Sequence, residues 1–259
     1  PFSKKNATIL FNSKTGILGA NGRFLVGGGQ LRFAIAGSDQ NNDHNYFFGN
    51  AGDTLRYRDK TGDFRLSESI SWQKKTGHVA TSFGATMTDY RFGRNFDYHM
   101  LFYSMNEPIN VPNEETAKST VSPWILQPWL RLGIDFGEEK WHFDVGIHGQ
   151  YFSKNRGFLL DPRLDLTYRR SQRSQYSLAI ALISQAPPLE TLLGPPFIEN
   201  ICPDCDLKSI RSLHVGLRKQ WQPSQSFALV SEFFGQYIFF APQSPALSPF
   251  FKWNYFDFP

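Results

Sequence analysis

Only two cysteines, Cys202 and Cys205, occur in 259 residues, too few for a disulfide framework. No apolar run approaches the roughly 18 residues that a transmembrane helix needs. The longest uninterrupted one, Leu178 to Ile183, is short, so helical spans are excluded. A large excess of one charge is also missing: 27 Lys and Arg against 23 Asp and Glu leave +4. Arg169, Arg170 and Arg173 crowd one turn, with no basic stripe carrying interleaved aromatics. That excludes a nucleic-acid groove and reads as solvated turn charge. No tandem repeat of fixed period stands out. Gly27-Gly28-Gly29 lacks the Walker spacing and the Lys-Ser/Thr pair of a phosphate loop, and reads as a kink within the second strand or a place where other backbone approaches the wall. Neither an initiator Met nor a signal peptide stands at Pro1, so the chain reads as a processed product or a fragment.

Aromatics are abundant, with 25 Phe, 10 Tyr and 6 Trp making 16% of the chain. Mean hydropathy is nevertheless −0.38. Both are reconciled by an alternation of period two. Leu130, Leu132, Ile134 and Phe136 point one way, while Arg131, Gly133 and Asp135 point the other. After a turn of Gly137, Glu138, Glu139 and Lys140, Trp141, Phe143, Val145, Ile147 and Tyr151 form an apolar row. His142, Asp144, Gly146, His148 and Gln150 form its polar back. Successive strand residues face opposite sides of a sheet, so each strand has one apolar and one wet face.

Five hairpins follow from this pattern. They are Ala7–Leu18 with Arg23–Ala36 around Gly19-Ala20-Asn21-Gly22, and Phe64–Gln73 with His78–Phe92 around Lys74–Gly77. Next come the hairpin just described, then Arg163–Arg169 with Tyr176–Ser184, turning at Ser171–Ser174. The fifth is Arg211–Gln220 with Phe227–Phe239, turning at Pro223-Ser224-Gln225. Longer polar connections are expected over Ser38–Asp63, Gly93–Pro123 and Gln185–Ser209, with a short one over Ser153–Leu160. Short turns thus fall at one end and long loops at the other, the asymmetry of outer-membrane barrels. The fold class read here is all-β, an antiparallel transmembrane β-barrel with about ten strands in residues 1–259.

Charges inside strands cost several kcal/mol in lipid, so Arg163, Asp165, Arg218 and Glu232 are expected on the lumen side. His142, Asp144 and His148 share that side, as candidates for facing a ligand or an internal domain. At strand rise the three span about 20 Å, so an ordinary hydrated wall is preferred over a metal site. Cys202-Pro203-Asp204-Cys205 reads as a local disulfide staple in an external loop, with free thiols or a shared metal as alternatives. No Ser/His/Asp set gathers for catalysis, no acid–base role is argued for Glu114-Glu115, and no cofactor is implied.

From Trp124 onward, about half the chain, the sequence resembles the barrel of TonB-dependent outer-membrane receptors of the Bacteroidetes type. The matching segments are Val145-Gly146-Ile147-His148 through Tyr151-Phe152 and Asp161-Pro162-Arg163-Leu164-Asp165-Leu166-Thr167-Tyr168. The second is similar to the family's Glu-Pro-Arg strand start, with Asp in place of Glu. Ser184–Glu190, Arg211–Leu217 and Glu232-Phe233-Phe234-Gly235-Gln236 complete the resemblance. It implies a nutrient receptor and transporter, not an enzyme, in the bacterial outer membrane, with a barrel of about 22 strands. It also implies contact with outer-membrane lipid, a plug domain and an energy-coupling protein, and leaves room for a surface lipoprotein or envelope complex. No plug-like segment or TonB-binding segment is recognisable, so the chain is expected to be one arc of the wall. The alternatives are a small self-contained barrel acting as a protease or lipase, and a structural scaffold barrel.

Overall fold

Alternating side chains leave the backbone of every strand to be satisfied sideways, and an antiparallel ladder does this. The computed structural model describes residues 7–48, 55–99, 102–104, 107–109, 114–154, 156–187 and 209–240. The strands are β1 (Ala7–Val26), β2 (Gly29–Phe48), β3 (Leu55–Thr76), β4 (Val79–His99), β5 (Phe102–Ser104), β6 (Glu107–Ile109) and β7 (Glu114–Val121). They continue as β8 (Trp124–Phe136), β9 (Trp141–Phe152), β10 (Gly157–Ser171), β11 (Ser174–Gln185), β12 (Ile210–Ser224) and β13 (Phe227–Phe239). Apart from the small β5–β6 pair they form one 11-stranded antiparallel sheet. Both β7 and β8 pair with β4, β7 along Phe92–His99 and β8 along Val79–Asp89. The eleven strands therefore occupy ten positions across the sheet, in agreement with the alternation. Among the described residues β1 pairs only with β2 and β13 only with β12, so the sheet is open.

The first turn is not where Asn21-Gly22 signals it. β1 runs straight through Gly19–Gly22, and the reversal falls at Gly27-Gly28, where Val26 pairs with Gly29. Both turn residues have positive φ, 61° and 72°, the requirement of a two-residue hairpin matched to strand twist. The glycine row is thus a turn, not a kink inside a strand, and the expected close approach of backbone occurs at Gly29, where a Cβ would stand 2.7 Å from Gln73 O. Gly22 stays in the ladder because the Phe33 ring of the facing strand fills the place a Cβ would take. The second turn tightens to Gly77-His78, with Thr76 opposite Val79. The third, fourth and fifth turns fall where expected, with β8–β9, β10–β11 and β12–β13 as the hairpins.

Two expected loops are strand instead. Ser38–Phe48 extends β2, residues 55–63 extend β3, Gly93–His99 extends β4, and β7 pairs with that last extension. Residues 157–160 likewise belong to β10. These stretches are polar on both faces, so hydropathy alternation is silent there. Cross-strand polar contacts hold them: Ser13 Oγ donates to Asn42 at 2.7 Å and Arg94 grips Asp59 at 2.9 and 2.6 Å. Arg58 grips Asp43 similarly, and its hydrogen bonds keep that carboxyl below the usual range. β1 to β4 are 20 to 22 residues long, whereas β8 to β13 are 12 to 15. A tilted strand crosses a bilayer in about 9–11 residues, so the first four strands rise well beyond the others.

One phase of the alternation is apolar and exposed in every position of the sheet. Phe24, Phe33, Ile70, Phe83, Leu130, Val145, Leu164, Ile180, Leu217 and Phe233 supply one such residue each from the ten positions. Glu68, between Ile35 and Met87 in register, interrupts that face. Buried large apolar side chains are few among the described residues: Phe92, Val121, Ile125 and Phe152. They lie on the opposite face, around the β7–β8 junction. A soluble sandwich would bury its apolar phase. This sheet presents it outward.

The two phases are expected to respond differently to charge. Val145→Arg should cost about 2–4 kcal/mol if the site lies near the bilayer midplane. Ala179→Arg, on the other phase of β11, should cost markedly less. Urea unfolding from lipid vesicles measures both, and equal losses would contradict the assigned faces.

Candidate functional site

Along β8 to β13 the polar phase carries most of the charged side chains, and the register sorts them into separate groups. Near the short turns, Arg131 on β8 donates Nε and Nη2 to Asp144 on β9 at 2.9 and 2.6 Å. His142 places Nδ1 2.6 Å from Asp135 and Nε2 2.9 Å from Asp144. Lys75 of β3 reaches across β4 to Asp135 at 3.0 Å. The intervening strand allows this because Ala80, opposite both Lys75 and Gly133, is small. Gly133 is required as well: a Cβ there would stand 2.8 Å from Asp144. The five side chains form one chain, Lys75–Asp135–His142–Asp144–Arg131. It borders a hollow of about 430 Å³ whose walls include Gly29, Gln73, Ala80 and Ser82. Each imidazole nitrogen faces a carboxylate, so neither is turned toward a shared ion.

A second group lies toward the far end of β9 to β12. Asp161 is 1% exposed and accepts from Ser184 N at 2.8 Å and Ser184 Oγ at 2.6 Å. His148 Nδ1 stands 3.9 Å away and Arg211 Nη2 4.0 Å, both beyond direct hydrogen-bond reach. Arg211 instead donates to Leu160 O at 3.3 Å. His148 Nδ1, Gln150 Nε2, Ser209 Oγ and Arg211 Nε are buried without a hydrogen-bond partner among the described residues. Buried polar atoms left unpaired each carry a penalty of about 1–3 kcal/mol, so this corner is less well satisfied than the first group.

All seven residues singled out in the sequence share the polar phase. Asp165 faces Asp144 and Arg163 faces Gly146 across the β9–β10 ladder. Asp165 accepts from Thr167 Oγ1 at 3.2 Å, and Arg163 is exposed. Arg218 and Glu232 stand opposite each other on β12 and β13 with a 3.2 Å ion pair. The structure joins His142 to Asp144 and Arg218 to Glu232, and sets His148 apart with Asp161. It does not bring the seven to one point. Cys202 and Cys205 lie outside the described residues.

Sequence reasoning missed Lys75, Asp161 and Arg211 as members of these groups. Lys75 reads as a turn residue in the sequence, which hides its phase. Asp161 was visible only as part of a strand-start motif. Arg131 and Asp135 were on the polar phase already, and only pairing between strands shows which neighbours they meet.

No protein-family model and no curated protein matches the sequence. The fold does match solved structures. The ferric preacinetobactin receptor BauA of Acinetobacter baumannii aligns at a TM-score of 0.57 and 12% identity, over 88% of this chain and 37% of that one. The ferric-catecholate import receptor Fiu of K12 E. coli gives 0.58 and 10%, over 94% and 43%. The RagAB peptide transporter gives 0.58 and 11%, over 88% and 30%. This chain therefore has the fold of the barrel wall of TonB-dependent receptors. It spans less than half the length of each of these proteins.

Asp161 is expected to be the anchor of the second group. Asp161→Ala would remove both Ser184 contacts and should destabilise the folded barrel by about 1–3 kcal/mol. Arg163→Ala, exposed on the same strand, should stay within about 0.5 kcal/mol. Thermal unfolding in detergent compares them, and similar losses would show that Asp161 anchors nothing.

Proposed function

We propose that this chain forms part of the wall of an outer-membrane receptor that takes up a nutrient ligand by TonB-dependent transport. The carrying observation is the exposed apolar residue at every one of ten sheet positions, backed by a polar opposite face. Lipid suits the first face and a hydrated lumen the second. The fold likeness to two iron-complex receptors and a peptide transporter supports transport in preference to enzymatic chemistry. The local motifs from Trp124 onward support the Bacteroidetes type. In this reading His142, Asp144, His148, Arg163, Asp165, Arg218 and Glu232 face the ligand or a plug domain. An energy-coupling protein of the inner membrane drives the plug's rearrangement.

The open edges support a wall that continues beyond these strands. Bare backbone donors and acceptors along β1 and β13 would cost several kcal/mol each in hydrocarbon. Strands from elsewhere in the polypeptide would cover them, and the long β1 to β4 would rise outside the cell with the ligand-catching loops.

Topology is tested by thiol labelling of intact cells, in a background where Cys202 and Cys205 are replaced by Ser. Lys118→Cys, on the tall side, should react with an impermeant reagent. Glu139→Cys, in a short turn, should react only after the envelope is opened. Labelling of both from outside would overturn the orientation. Uptake that persists without the energy-coupling protein would overturn the transport mechanism.

A further inference from the structure

The tall part of the sheet keeps the same outward phase above the apolar face, but its chemistry changes. One rung crosses five strands in register as Asn12, Asp43, Lys60, Asn95 and Lys118. In the next rung toward the apolar face, Gly62 and Gly93 stand opposite each other. With no side chains there, the two glycines floor an outward-facing hollow of about 430 Å³. Lys14, on β1, lines it beside the floor, while Lys60 and Lys118 line it from the rung above. Asn41 leans over Gly62 and Thr120 over Gly93, adding neutral polar groups.

The charge in this hollow is uncompensated. Asp43 is its acid, but Arg58 binds that carboxylate with two hydrogen bonds and Asn45 donates a third at 3.1 Å. Arg58 cancels Asp43, and Lys14, Lys60 and Lys118 form no ion pair among the described residues. Three ammonium groups around a glycine floor suit a phosphate, and the asparagines suit sugar hydroxyls. Height agrees with this. At strand rise and a tilt near 45°, Lys14 and Lys60 lie roughly 28 and 37 Å from the short turns. An apolar band about 25 Å tall ends below them, which puts the hollow at headgroup level.

We propose that this hollow binds the phosphorylated sugar headgroup of an outer-leaflet lipid. The proposal rests on the reading that the outward phase meets a bilayer. It makes the tall hairpins a lipid-anchored collar, while the lumen remains free for transport.

The test uses the complete receptor polypeptide, including the strands that cover β1 and β13, in nanodiscs of zwitterionic lipid doped with a bisphosphorylated glucosamine lipid or its dephosphorylated counterpart. Native mass spectrometry reads the lipid retained. The phosphorylated lipid should be retained about 100-fold better, as expected for about 1 kcal/mol from each of three lysines. K14Q/K60Q/K118Q should lose that preference, and K75Q, on the lumen phase, should keep it. Equal retention of both lipids by the wild type would overturn the proposal and leave the membrane reading intact. Displacement by an equal concentration of inorganic phosphate would also overturn it, in favour of a free-anion site. Failure of the wild type to enter nanodiscs would overturn the membrane reading, and this proposal with it.

Discussion

Hydrocarbon offers no partner to a backbone N–H or C=O, and that constraint organises this molecule. Long antiparallel ladders answer it, from the Ala7–Phe48 pairing to the Arg211–Phe239 pairing. Turns of two residues waste the fewest backbone groups, which is why Gly27-Gly28 carries the first reversal. The four-residue turn after Phe136 costs more, because Glu138 and Glu139 both adopt positive φ. Lys140 N–H recovers part of this by donating to Gly137 O at 3.1 Å.

Once the ladder is fixed, the side-chain phases have no freedom, since a shift of one residue would exchange them. The apolar phase is then committed to lipid, and the polar phase must satisfy itself across strands. It does so unevenly. The Lys75-to-Arg131 chain is fully paired and stiffens the wall near the short turns. The Asp161 corner holds buried donors without partners, and Arg218–Glu232 is an exposed pair of little energetic weight. Paired charge stiffens a wall, and a buried polar atom without a partner weakens it. Similar reasoning separates Asp43, already bound by Arg58, from the lysines beside it.

The sequence shows the fold well wherever one phase is apolar. The β8–β9 hairpin and the last two hairpins are legible to within a few residues, and so is the strand count across the sheet. Legibility fails in two physical situations. Where both phases are polar, as in Ser38–Phe48 and Gly93–His99, strand and loop look alike, and only the partner strand's polar groups decide. Where a glycine lies beneath an aromatic ring from the next strand, as Gly22 does beneath Phe33, a turn signal is overridden by a contact invisible in one segment. The shared phase of all seven candidate residues is readable, because phase is local. Their grouping is not, because Lys75 meets Asp135 across an entire intervening strand.

The central claim is that the apolar phase touches lipid while the polar phase touches water. Spin labels placed singly at positions 143 to 148, in the protein reconstituted into bilayers, test it most directly through accessibility to oxygen and to a polar nickel complex. The account predicts oxygen-dominated relaxation at 143, 145 and 147, and nickel-dominated relaxation at 144, 146 and 148. A uniform profile, or the opposite alternation, would contradict it.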